Sequence, residues 1–206
     1  MKKITLQGIL YDDKSSYLKG PALAPPRIRS LFNSPSANYF AENVMEIVPE
    51  IFDYKLDFEI NTYFDIEYLT SKNLKNSEHL LTLGGDHSIT YPIIKAFYKF
   101  HGPVDLIHID AHADLYDIFE GDKFSHACPF ARIMEEKLIN KLVQIGIRTL
   151  SKHQREQSEK YGVETIEMRH IHKATSLELK NPVYISLDID ALDPAYAPGV
   201  SHHEPG

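Results

Sequence analysis

The chain has 206 residues and a formal net charge of −7, with a single cysteine, Cys128. That length supports one sizeable core rather than two full domains, and the acidic balance argues against a nucleic-acid partner. One cysteine excludes an intramolecular disulfide and fits a reducing compartment, and no run approaches the length of a bilayer span.

In chain order, the start carries a basic pair, Lys2 and Lys3, but Gln7 and Gly8 interrupt the apolar stretch and Asp12 and Asp13 follow. A secretory signal is not expected there, and the chain reads as cytoplasmic. Gly20-Pro21-Ala22-Leu23-Ala24-Pro25-Pro26 reads as a rigid, polyproline-like entry into 27–32, or else a surface linker. The stretch 33–67 gives no clear signal. Strand and helix patterns then alternate. Strands are predicted over 79–83, 104–109, 141–147, 163–168 and 183–187. Helices are predicted over 89–100, 130–139 and 152–161, the last closed by Gly162, with a weak helical or irregular stretch before the final strand. Apolar strands alternating with helices predict an α/β fold, a three-layer α/β/α sandwich with a parallel sheet covered on both faces.

Three of these strands end in metal-ligand chemistry. The first runs into Gly84-Gly85-Asp86-His87-Ser88, the second into Asp110-Ala111-His112-Ala113-Asp114, and the third into Asp188-Ile189-Asp190. On a strand, residues two apart share a face about 6–7 Å apart. Two ionised carboxylates so placed in an apolar setting require a cation. Each motif alone also reads as something plainer: a turn with a helix cap, a solvated strand terminus, or an aspartate capping a turn. Together they offer His87, Asp110, His112, Asp114, Asp188 and Asp190 at the carboxyl edge of a parallel sheet, where such folds place ligands. Six donors exceed the needs of one ion and suit two that share carboxylates.

These three motifs, with Lys19-Gly20-Pro21-Ala22-Leu23-Ala24-Pro25-Pro26, the loop from Asp117 to Ala127 and Gly199-Val200-Ser201-His202-His203-Glu204-Pro205-Gly206, resemble the ureohydrolases, the arginases, agmatinases and their relatives, and most of all the plant-type arginase branch. The resemblance covers nearly the whole chain. It implies one Mn²⁺ held by His87, Asp110, Asp114 and Asp188, and a second held by His112, Asp110, Asp188 and Asp190. It implies that His126 shuttles protons and that Tyr116 stands near the substrate. The expected reaction is hydrolysis of a guanidino C–N bond to release urea, from L-arginine or alternatively from agmatine or another guanidino or formimino compound. A non-catalytic metal-binding relative serving as an assembly or regulatory subunit is the reading from another class. His202 and His203 are expected at the rim. The family also implies a homotrimer or homohexamer, and one ureohydrolase domain over 1–206 that lacks the C-terminal part of the family fold.

Overall fold

A computed structural model describes residues 3–77 and 79–206. Met1 and Lys2, at the start weighed as a targeting signal, and Glu78 lie outside the described residues. The strands are β1 (Ile4–Leu10), β2 (Phe52–Glu59), β3 (Leu80–Leu83), β4 (Val104–Ile109), β5 (Ile139–Ile147), β6 (Glu164–Glu167) and β7 (Val183–Leu187). The helices are α1 (Ala24–Phe32), α2 (Asp65–Leu74), α3 (Thr90–His101), α4 (Pro129–Glu135) and α5 (Lys152–Tyr161). Every strand pair is parallel, as the α/β reading requires. The strands form two sheets rather than one, ordered β2-β1-β3 and β6-β5-β4-β7. β3 and β7 are therefore edges, and Ile185 and Leu187 on β7 are 61% and 60% exposed. No described helix is long and apolar enough to cross a membrane.

The core joins both sheets to the helices through Ile9, Ile66, Ile93, Ile94, Leu106, Phe130, Ile133, Leu142 and Ile147. Each such side chain contributes about 1.5–3 kcal/mol by leaving water. β1, unassigned from sequence, has five successive buried residues, the pattern of a strand covered on both faces. Its polar interruption is satisfied internally. Gln7 Nε2 donates to Thr82 Oγ1 at 2.9 Å, and Gln7 Oε1 accepts from Asn73 Nδ2 at 2.8 Å.

α3, β3 and β6 differ from expectation by one residue at one end or both, and three features differ by more. The proline-rich entry is helical, not polyproline-like: Pro25 and Pro26 sit in the first turn of α1, where a missing N–H costs nothing. α4 closes at Glu135 instead of 139. Lys137 adopts a left-handed conformation with φ 54°, and the amides of Lys137 and Leu138 turn back on Met134 and Ile133. β5 consequently starts at Ile139, before the predicted 141. By contrast α5 has the predicted bounds, because Ser151 and Gln154 form a capping box and Gly162 closes the helix at φ 64°.

Candidate metal centre

β3 ends at Leu83, and the chain must pass hard against the carbonyl of Tyr11. A Cβ on Gly85 would lie 1.8 Å from that oxygen, so only glycine fits. The amide of Asp86 donates to the same carbonyl at 2.9 Å, and Asp86 Oδ1 accepts from Ser88 N at 3.0 Å, opening the 3-10 turn His87–Ile89 that leads into α3. The capped-turn reading of this motif is thus also true. What the cap does is aim His87: its Nδ1 lies 3.0 Å from Asp110 Oδ2, 3.2 Å from Asp114 Oδ2 and 3.3 Å from Asp188 Oδ2.

Asp110, His112 and Asp114 follow β4 in coil, so strand alternation does not set their directions. Asp110 Oδ1 accepts from His112 N at 2.7 Å, and Asp114 takes the left-handed region at φ 48°, which turns its carboxylate back to His87. Asp188 and Asp190 also lie beyond their strand, contrary to the strand-pair spacing. Asp188 caps the 3-10 turn Ile189–Ala191, its Oδ1 accepting from Asp190 N at 3.0 Å. That turn carries Asp190 Oδ2 to 3.0 Å from His112 Nδ1, which is 3.5 Å from Asp110 Oδ1.

Two groups of donors result. In each, the ligand atoms lie within 4.8 Å of one another: His87, His108, Asp110 and Asp114 in one, Asp110, His112 and Asp190 in the other. Asp110 belongs to both. His108 is the unexpected member, but its Nε2 is 2.7 Å from Asp110 Oδ2 and its Nδ1 3.0 Å from Gln144 Nε2, so both ring nitrogens are engaged by the protein. Asp188 belongs to neither group, although its Oδ2 lies 3.3 Å from His87 Nδ1.

The electrostatics point to missing positive charge. Burial, then the charges of Asp110 and Asp188, push Asp190 up to about 7. Burial opposes a charge on His112, but Asp110 and Asp190 outweigh it and raise the imidazole to about 11. His87 is raised by Asp110, Asp114 and Asp188 in the same way. Its Nδ1 is fully buried yet makes no hydrogen bond of good geometry. A buried ring nitrogen facing three carboxylates without a bond of its own fits a cation held between them.

His126 stands apart from these groups. Its ring stacks on His202 at 5.8 Å, and His202 meets His112 edge-on at 5.9 Å. Ser16 Oγ lies 2.8 Å from His126 Nε2, and the amide of His126 donates to Lys14 O at 3.3 Å. Buried Asp86 holds that segment by accepting from Lys14 N at 3.0 Å. Tyr116 lies along the same wall. It stacks on His153 at 5.6 Å and tilts against Phe119, whose ring meets His126 edge-on.

Sequence reading missed Ser16, the hold of Asp86 on the Lys14 amide, and Arg148. The Arg148 guanidinium donates to the carbonyls of Asp190, Ala191 and Glu204 at 2.9, 3.2 and 2.8 Å, tying the third motif to the segment whose Glu204 reaches His112 Nε2 at 3.4 Å. The usable signal for Arg148 was a cation immediately after a buried strand.

Comparison with known proteins identifies the family. Residues 2–206 match the model of the Arginase family. The chain is 43% identical over 225 residues to "Arginase 1, mitochondrial" of Arabidopsis thaliana, an alignment covering 98% of this chain and 65% of that protein. It is 42% identical over 141 residues, 66% of this chain and 47% of the relative, to "N(1)-aminopropylagmatine ureohydrolase" of Thermus thermophilus. Among solved structures, the arginase from Medicago truncatula superposes with a TM-score of 0.89 at 39% identity, covering all of this chain and 71% of that one. The chain thus spans about 65% of the length of the plant relative it matches. The expected cytoplasmic location is overturned, since the plant relatives from Arabidopsis, rice and Medicago are named mitochondrial. An N-terminal composition that lacks a secretory signal does not speak to organellar import. With the family model spanning almost every residue and the fold shared throughout, the chain belongs to the arginase family.

Proposed function

We propose that this chain carries a binuclear Mn²⁺ centre and hydrolyses the C–N bond of a guanidino compound, releasing urea, with L-arginine as the favoured substrate. The observation that carries the reading is His87 Nδ1, buried without a hydrogen bond among the carboxylates of Asp110, Asp114 and Asp188. One ion would be held by those four residues and the other by His112, Asp110, Asp188 and Asp190, with Asp110 and Asp188 serving both. Bound divalent ions supply the Lewis acidity that makes water nucleophilic at neutral pH, which a resonance-stabilised guanidinium carbon requires.

The protein groups do the rest. His87 Nε2–H donates a hydrogen bond to Ser186 Oγ at 2.8 Å, which leaves the Nδ1 lone pair directed at the carboxylates. His126 gives a proton to the departing amine, and Ser16 holds its Nε2 in place. Tyr116, Phe119 and His126 form an aromatic wall beside the planar cationic group of the substrate.

The 43% identity to plant arginase favours L-arginine. The 42% identity to a protein named for aminopropylagmatine keeps a decarboxylated guanidino substrate as the second reading. Steady-state urea release from L-arginine and agmatine, with ornithine and putrescine as co-products, tests both. A higher kcat/KM for L-arginine is expected; preference for agmatine transfers the assignment, and no urea from either with both ions bound leaves another guanidino or formimino substrate or a non-catalytic metal-binding subunit. Assembly as a homotrimer or homohexamer belongs to the same proposal, and light scattering reads it.

A further inference from the structure

Three polar residues lie in register across the interior of the second sheet. Gln144 on β5 pairs with His108 on β4, and His108 pairs with Ser186 on β7. All three are buried, in strands that are otherwise largely apolar, and each stands two positions before a residue of the metal edge or its bend: Gly146, Asp110 and Asp188. Most buried polar side-chain atoms have at least one hydrogen-bond partner, so the partners available constrain how such a row is protonated.

The matching here has one solution. Gln144 Nε2 lies 2.6 Å from the carbonyl of Ala113 and 3.0 Å from His108 Nδ1. Turning the amide over would set its oxygen against the Ala113 oxygen, so the nitrogen must face this side. With one proton on the Ala113 carbonyl, the other points at His108 Nδ1, which therefore accepts. The ring proton must then sit on Nε2, 2.7 Å from Asp110 Oδ2, to which it is donated. Stacking on Phe130 at 3.9 Å keeps the ring in that plane. Gln144 Oε1 is buried without a partner, so the hydrogen bonds available to orient the amide are the two of its nitrogen.

We propose that Gln144 is a positioning residue for the metal centre: it fixes His108 as the Nε2–H tautomer, whose proton holds Asp110 Oδ2 and so orients the carboxylate that both ions share. This rests on the reading of Asp110 as a shared ligand. Asp110 is the one carboxylate common to both donor groups, so an error in its direction is felt at two ions. Partners outside the ligand shell of this kind are commonly worth 10–100-fold in metal affinity.

The test uses the purified protein with ¹⁵N-labelled histidine, with and without Zn²⁺, and Mn²⁺ affinity measured from the signal of the free ion. In the wild type, His108 is expected to carry its proton on Nε2 and a bare Nδ1. Gln144→Met should let the ring sample both tautomers and weaken Mn²⁺ binding roughly 10–100-fold. Gln144→Glu fills the same space but presents an oxygen, and should draw the proton to Nδ1. His108→Gln supplies its own Nε2–H to Asp110, so in that background Gln144→Met should change affinity by no more than about twofold. A proton on Nδ1 of the wild type, Mn²⁺ binding within twofold of wild type in Gln144→Met, or an equal loss in the His108→Gln background would overturn the proposal. Failure of the metal centre itself looks different, because binding would then be absent from the wild type as well.

Discussion

Removing the divalent ions should leave a protein that loses stability as the pH rises. In the ion-free cluster His112 is raised to about 11, because Asp110 and Asp190 outweigh the burial that opposes its charge. His87 is raised well above its ordinary value by Asp110, Asp114 and Asp188, again against burial. Both bind a proton more tightly folded than unfolded. The stabilisation is therefore complete below the unfolded histidine value of about 6.5 and is lost as the pH climbs through the folded values. Asp190, pushed up to about 7 by burial and by Asp110 and Asp188, has the same sign, its contribution being lost as the pH rises through that value. Taking His112 alone, the slope between pH 7 and 9 is about 1.4 kcal/mol per pH unit, or about 3–6 °C in Tm for a chain of this size. Saturating Mn²⁺ displaces those protons, so it should flatten the slope and add about 2.7 kcal/mol per ion at a hundredfold excess over Kd. Thermal melts in chelator and in Mn²⁺ across this range read both effects. An ion-free Tm that is flat or rising from pH 7 to 9 would refute the electrostatic account of the cluster.

Other expectations follow from single contacts. Asp188→Ala should lose more metal than Asp190→Ala by elemental analysis, since only Asp188 is assigned to both ions; equal loss would remove Asp188 as a bridge. His126→Asn should retain both ions and lose most of kcat, because its ring lies outside both donor groups and beside Ser16. Stripped metal, or an unchanged rate at every pH, would end that assignment. Gly85→Ala should cost about 1–3 kcal/mol in denaturant unfolding and weaken the ion at His87, because its Cβ would overlap the Tyr11 carbonyl. Wild-type stability in that variant would mean the turn has room that the structure denies it.

The proposed ligands stood out in sequence because each sits directly after a strand with a strong apolar pattern, and β4 and β7 have the predicted bounds. α5 was legible through its capping residues Ser151 and Gly162. The reason given for the convergence of the ligands was only half right. Strand alternation does not bring Asp188 and Asp190 together; a capped 3-10 turn does, and a left-handed residue does the same for Asp114. β1 was missed because Gln7 and Gly8 break its apolar run, and the partners that make Gln7 tolerable, Asn73 and Thr82, are remote in the chain. The row Gln144, His108 and Ser186 escaped for a related reason: its meaning depends on strand register, which no local pattern encodes.

The claim on which the rest depends is that two ions share one site. Purified protein, stripped by chelator, reloaded with Mn²⁺ and freed of excess by gel filtration, should hold two Mn²⁺ per chain by elemental analysis, falling on Asp110→Ala as both donor groups lose their common member. A plateau at one ion per chain, with Asp110, Asp188 and both histidine ligands intact, would contradict it.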